Sequence, residues 1–208
     1  MADMRCGKTG RIGWYSPDPR AVLSLAEGGV HVSRSLARTI RRSVFELTTD
    51  ETFEGVMRAC AAPRGGDGLD GAWISEEMIG AYTGLHQLGH AHSVEAWRGA
   101  GSQRQLVGGI YGVSIGAAFF AESMFCRPER GGTDASKVCL VMLAAHLRRA
   151  GYRLLDVQIA NPHTLRLGAV EVGRDVFLAA LGHALPGQGC WGSTDEFGRM
   201  QADPRRER

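Results

Sequence analysis

The chain has 208 residues, enough for one good core or one core with a small appendage. Its 44% hydrophobic and 22% charged residues are those of an ordinary globular protein, and a net charge of +2 restricts any nucleic-acid contact to local basic patches. The 7% aromatic share argues against a single-strand stacking platform, and no apolar run approaches a membrane span. Residues 1–30 read as irregular, punctuated by Gly and Pro around WYSPDPR. Ser33 is placed to cap a short helix, VSRSLARTIRR, with Arg34, Arg38 and Arg42 on one face. Val44–Thr48 reads as a strand. Thr52 caps the next expected helix, whose apolar positions are Phe53, Val56, Met57 and Cys60. Ser75 opens another, with Met78, Tyr82 and Leu85 as its stripe and Gly89 as its end. From His90 to Phe125 the pattern predicts three strands, HAHSVEAW, LVGGIYGVSIG and AAFFAESMF, joined by short turns into an antiparallel meander. ASKVCLVMLAAHLRR predicts a long helix, apolar nearly all round and so buried against the sheet. LLDVQIA predicts one more strand and GRDVFLAALG one more helix. The last twenty or so residues, ending in PRRER, have no periodicity and are expected to form a mobile tail.

This order predicts a mixed α/β (α+β) fold: an acetyltransferase-like (GNAT) sheet with flanking helices. The expected division is a short N-terminal domain over 1–45, a catalytic domain over 46–185 and a tail over 186–208. The five cysteines, Cys6, Cys60, Cys126, Cys139 and Cys190, are odd in number, widely spaced and without a CxxC. Together with a polar N-terminus lacking an apolar signal core, they point to a reducing, cytoplasmic setting.

Several motifs carry chemistry. In HQLGHAH, His86 and His90 lie four apart with His92 nearby, which invites a metal reading. Gly89 should break the helix between them, and no adjacent Cys or Asp completes a ligand set, so polar filling at a helix-to-strand junction is expected instead. Glu122 lies in the apolar strand FFAESMF, where an unpaired charge is unfavourable. It calls for a partner or a water-filled cavity: either an ion pair with an arginine, or an anionic site for a cationic substrate group. Gly131 and Gly132 precede a helix N-terminus, but neither a Walker loop nor the RxxGxG/A pyrophosphate pattern is present, so a turn capped by Thr133 or Asp134 is expected. Arg34, Arg38, Arg41 and Arg42 come without an intervening acid, which suits phosphate contact as well as a solvated face. Asp156 and Gln158 are two apart in a strand, so plain alternation puts them on one face. Such a pair can merely bond backbone, or can orient a nucleophile and accept its proton.

The strings WYSPDPRAVL, HVSRSLARTIRR, FEGVMRACAAPR, WISEEMIGAYTGLHQLGHAHSVEAW, LVGGIYGVSIGAAFFAESMF, ASKVCLVML and LLDVQ occur in this order. Together they closely resemble the bacterial leucyl/phenylalanyl-tRNA–protein transferases, over about Trp14 to about Leu181. The resemblance implies transfer of Leu or Phe, sometimes Met, from aminoacyl-tRNA to the N-terminal amine of proteins beginning with Arg or Lys, in the N-end rule pathway. It implies an acetyltransferase-like catalytic domain behind a smaller N-terminal one, and no coenzyme A, other cofactor or metal. By family match, Asp156 and Gln158 are the catalytic pair, the Asp orienting and polarising the Gln amide, and Glu122 receives the acceptor's cationic side chain. Ile110, Phe119, Leu143, Leu147 and Leu155 form the aminoacyl pocket, Trp73 stacks on the terminal adenine, and the arginine stripe touches the acceptor stem. The chain departs from the family before WYSPDPR, where a longer segment with a GYFP-type stretch is usual; a late start or a truncated N-terminal domain is the expectation. It also carries Ala121 for Gly before Glu-Ser, and Arg166 where a Ser is usual. The alternatives are another acyltransferase of the same fold, or a tRNA-binding protein without turnover.

Overall fold

The computed structural model describes residues 3–6, 12–62, 74–192 and 197, with side chains from Tyr15 onward. A two-stranded antiparallel ribbon, β1 (Asp3–Cys6) and β2 (Ile12–Tyr15), precedes the main body. That body is a seven-stranded mixed sheet flanked by helices, a mixed α/β architecture. Its strands are β3 (Arg20–Leu23), β4 (Glu46–Thr49), β5 (Ala91–Arg98), β6 (Gln105–Ile115), β7 (Ala118–Cys126), β8 (Leu154–Gln158) and β9 (Val170–Val172), in the spatial order β4-β5-β6-β7-β8-β3-β9. Among these strands, β7 and β8 make the single parallel pair. The helices are α1 (Arg34–Arg41), α2 (Phe53–Ala61), α3 (Glu76–Gln87), α4 (Ala135–Arg149), α5 (Pro162–Arg166) and α6 (Arg174–Ala184).

The meander read from the sequence is present as β5–β6–β7, and α4 is the crossover that makes β7 and β8 parallel. Strand β5 is buried from Ala91 to Ala96 because helices cover both faces of the sheet. On one face, Phe53, Val56, Met57, Met78 and Tyr82 of α2 and α3 pack with Tyr111, Val113 and Phe125. On the other, Val138, Leu140, Leu143 and Leu147 of α4 pack with Val94, Ala96, Ile110 and Phe119. Helix α6 covers Phe120 and Leu154 with Phe177 and Ala184. The start of α4 lies so close to β6 that a Cβ on Gly108 would meet the Ala135 Cβ at 2.4 Å. Leu143, fully buried, is one of the side chains whose truncation to Ala costs about 2–5 kcal/mol.

Ser33 and Ser75 cap α1 and α3 as expected, accepting from the Leu36 and Met78 N–H groups. Thr52 sits at the N-cap of α2 but its side chain makes no capping bond. Asp134 occupies the N-cap of α4, and its carboxylate instead holds Lys137 Nζ at 2.6 Å. The largest correction concerns residues 1–30: Arg20–Leu23 is a strand inserted between β8 and β9. RAVL follows the prolines of SPDP and shows no polar–apolar alternation, so it was not recognised, and the short β9 and α5 were missed as well. The division expected at residue 45 therefore leaves one strand of the main sheet on its N-terminal side. Trp191 and Phe197, in the expected tail, are buried in the main core.

Candidate active site

Strands β7 and β8 are paired only from Ala118–Leu154 to Phe120–Asp156, and around this last pair the polar side chains converge. On the other edge of β8, Ala21 pairs with Gln158 and Val22 with Asp156, so Val157 is an extra residue and β8 is bulged. The Gln158 backbone follows with φ of 66°, a left-handed conformation that is strained for a residue with a Cβ. The bulge and this turn set the Asp156–Gln158 geometry, so plain strand alternation was the wrong reason for the pairing.

Asp156 is fully buried. Its Oδ2 accepts from Arg20 Nε at 2.8 Å and lies 2.7 Å from Arg20 Nη2; its Oδ1 accepts from the Gln158 backbone N–H at 2.7 Å. Arg20 in turn lies over the Phe177 ring, 4.9 Å from its centroid. The Gln158 side chain points the other way. Its Nε2 donates to Glu122 Oε2 at 2.8 Å and to the Ala121 carbonyl at 3.2 Å. Both amide hydrogens are thereby engaged, which fixes the direction of the Oε1 acceptor. This corrects the expected contact: Asp156 holds Gln158 through its backbone, and Glu122 with Ala121 orients the amide. Asp156 has an arginine partner, supplied by β3. Burial raises the Asp156 pKa above the ordinary value, and this outweighs the opposing pull of Arg20. Arg20 had no signal in the sequence, because its strand was unrecognised.

Ile110, Phe119, Leu143, Leu147 and Leu155 are brought together in one apolar cluster, none more than 2% exposed. Phe119 is the register partner of Leu155, the residue before Asp156, so the cluster adjoins the polar groups. Trp191 stacks on Phe119 with centroids 5.4 Å apart. Arg34, Arg38, Arg41 and Arg42 are all exposed on or just after α1, which rests on the core through Leu36. Trp73 lies outside the described residues. Gly131 and Gly132 form a turn as expected, their N–H groups donating to Pro128 and Arg127 carbonyls rather than facing a ligand.

A second buried acid was overlooked. Glu95 of β5 is fully buried, accepting from the Ser93 hydroxyl and, at 2.6 Å, from the Thr48 hydroxyl, which itself accepts from Trp97 Nε1. The signal was available: a carboxylate inside an apolar strand, as at Glu122. Burial raises its pKa above 4.5 despite these hydrogen bonds. The folded protein thus holds this proton better than the unfolded chain, and the stability gained is present at low pH and lost as pH rises through the raised value. Urea unfolding of wild type against Glu95→Gln should show the wild type losing ground as pH rises above about 4.5, by up to roughly 1.4 kcal/mol per pH unit. A difference that does not vary with pH would contradict this protonation scheme.

Around Gln158 the sheet gathers a buried carboxylate, an oriented amide and a half-buried glutamate, groups that can position an amine and a charge for group transfer. Comparison with known proteins gives the same class. Residues 22–182 match the family model described as leucyl/phenylalanyl-tRNA protein transferase. A leucyl/phenylalanyl-tRNA–protein transferase of Rubrobacter xylanophilus is 51% identical over 86% of this chain and 86% of its own. One from Nitrosomonas europaea is 50% identical over 84% of this chain and 70% of its own, and one from an Anaeromyxobacter strain 52% over 86% and 72%. The chain belongs to the leucyl/phenylalanyl-tRNA protein transferase family, a family of aminoacyltransferases.

Proposed function

We propose that this protein moves Leu or Phe, and also Met, from aminoacyl-tRNA to the N-terminal amine of proteins that begin with Arg or Lys. The product then enters N-end rule degradation, in the cytoplasm. The observation that carries this reading is the Arg20–Asp156–Gln158–Glu122 chain where β7 and β8 cease to pair, beside an apolar cluster. Family membership supplies the reaction class. The parting of two parallel strands after a helical crossover supports an acetyltransferase-like arrangement of the catalytic unit, residues 46–185 together with β3.

The reaction is aminolysis of an ester. The acceptor amine attacks the aminoacyl carbonyl carbon; a C–N bond forms, the C–O bond to the terminal ribose breaks, and the amine's proton passes to the departing ribose oxygen. An aminoacyl ester is already activated, so positioning carries much of the acceleration. Gln158 Oε1 accepts a hydrogen bond from the amine and aims its lone pair. An amide oxygen is too weakly basic to take the proton outright. Asp156 holds the strained backbone that presents Gln158. Glu122, half-buried and bonded to the same amide, pairs with the acceptor's guanidinium or ammonium. The apolar cluster receives the donor side chain, Trp73 stacks on the terminal adenine, and the α1 arginines contact the acceptor-stem phosphates without reading sequence.

The test is transfer of radiolabelled Leu from Leu-tRNA to a peptide beginning with Arg, beside a matched peptide beginning with Ala. Label is expected on the Arg peptide alone. Glu122→Gln should raise the apparent KM for the Arg peptide by about tenfold or more, with the KM for tRNA unchanged. Equal labelling of both peptides by the wild type would overturn the acceptor rule, and absence of both transfer and tRNA binding would overturn the function.

A further inference from the structure

The HQLGHAH segment looked short of a third ligand in the sequence, and the fold supplies one. Asp50, on the turn between β4 and α2, brings its carboxylate to His86 and His92, and one donor atom from each of the three lies within 4.8 Å of the others. His92 Nδ1 is 2.8 Å from Asp50 Oδ2, and His86 Nδ1 is 3.9 Å from Asp50 Oδ1. The Ala91 carbonyl oxygen is 2.8 Å from His86 Nδ1, a further oxygen beside that ring nitrogen. His90, the residue that suggested a helical motif, is exposed and takes no part, because Gly89 ends the helix as expected.

Three features give this cluster the character of a prepared site. Asp50 has φ of 59°, a conformation unfavourable for a non-glycine residue, and its Oδ1 also accepts from the Ser93 N–H at 2.8 Å. The His86 ring is stacked on Phe53, centroids 4.5 Å apart, and the His92 ring on Trp191 at 4.3 Å. The donors are thus drawn from the β4–α2 turn, the end of α3 and the start of β5, and each is locked in orientation by a partner that is not itself a donor. Tetrahedral ligands about 2.0–2.1 Å from zinc stand roughly 3.3–3.4 Å apart, so the two contacts at 2.8 Å would open by about half an ångström and the one at 3.9 Å would close by about as much.

We infer that Asp50, His86, His92 and the Ala91 carbonyl form a tetrahedral zinc site that clasps the α2–α3 layer to the edge of β5. Two imidazole nitrogens and two oxygens are a donor set that zinc accepts. The ring protons then reside on the two Nε2 atoms, freeing both Nδ1 lone pairs for the ion. The site is structural, since none of its donors belongs to the Asp156–Gln158 chain. The expectation of no metal rested on the family resemblance, on the helix break at Gly89 and on the lack of an adjacent Cys or Asp; Asp50 answers the last of these.

The test uses untagged full-length protein purified without chelator. Elemental analysis is expected to find about one zinc per chain. Chelation should lower the melting temperature, and zinc should restore it. Cobalt(II) added to the chelated protein should give the visible absorption of a four-coordinate ion. Asp50→Asn and His92→Gln should each weaken cobalt binding at least about tenfold. Two results would overturn the site. One is wild-type protein with neither zinc nor a cobalt band, and a melting temperature indifferent to both ion and chelator; the cluster would then be an Asp–His hydrogen-bonded pair. The other is zinc held equally well by both variants, which would place the ion elsewhere, as at the exposed Cys126 or Cys190. The wild-type cobalt titration keeps the question decidable even where a variant fails to fold.

Discussion

Gln158→Ala is expected to lower kcat for aminoacyl transfer by about 100-fold or more, while the KM for tRNA changes less than about threefold. The reasoning starts from the hydrogen-bond pattern. Both Gln158 amide hydrogens are committed, to Glu122 Oε2 and the Ala121 carbonyl, so Oε1 is presented in one direction before any amine arrives. Pre-orientation of this kind acts on the reacting geometry and little on tRNA affinity, which the phosphate contacts set. Gln158→Glu is the sharper companion. It keeps the shape but sets a second carboxylate against Glu122, so the amide's two donations are lost and the side chain is pushed aside. We expect Glu at 158 to be nearly as impaired as Ala. Rapid-quench measurement of a single turnover with pre-bound aminoacyl-tRNA isolates the step. An undiminished single-turnover rate in Gln158→Ala would remove Gln158 from the chemistry and leave it a structural role in the bulge.

What the sequence could reveal divides along physical lines. The longer helices and strands were legible because their apolar patterns run for eight or more residues: α4 and the β5–β6–β7 meander were read nearly to their ends. Glu122 and Asp156 were legible because a charge in an apolar strand demands a partner. The partners themselves were not. Arg20 lies 136 positions from Asp156, in a strand without polar–apolar alternation, and Asp50 lies 42 positions from His92, in a turn that no local pattern marks. The bulge at Val157 and the left-handed Gln158 were equally hidden, since both follow from how β3 pairs with β8. The pocket residues came from resemblance alone, because a buried Leu or Phe lining a ligand site looks the same in sequence as one filling a core. Trp191 and Phe197 were set aside with an aperiodic tail, although such single aromatics need no period to be buried.

Asp156→Ala should cost about 3–5 kcal/mol of stability in addition to abolishing most of the activity. Arg20 is 3% exposed and Asp156 fully buried, so removing the carboxylate leaves a guanidinium out of water over the Phe177 ring. Arg20→Met should be comparably harmful, for the mirror-image reason. The pair together is another matter. The raised Asp156 pKa means that burial outweighs what Arg20 returns to the ionised form, so the native state holds this carboxyl's proton better than the unfolded chain does. Desolvation of the two charges thus opposes the attraction between them, as is common for buried ion pairs. The double variant Arg20→Met with Asp156→Leu should therefore recover most of what either single change loses, as apolar replacements of buried pairs often do. It should still fail to transfer an amino acid, since nothing then fixes the Gln158 backbone N–H. Urea unfolding of the four proteins yields the coupling energy, and the transfer assay run on the same samples separates stability from chemistry. Recovery of stability without activity would assign the pair to presenting Gln158. If the double variant were as unstable as the sum of the singles, the pair would be holding β3 to β8. Recovery of activity along with stability would exclude Asp156 from the reaction.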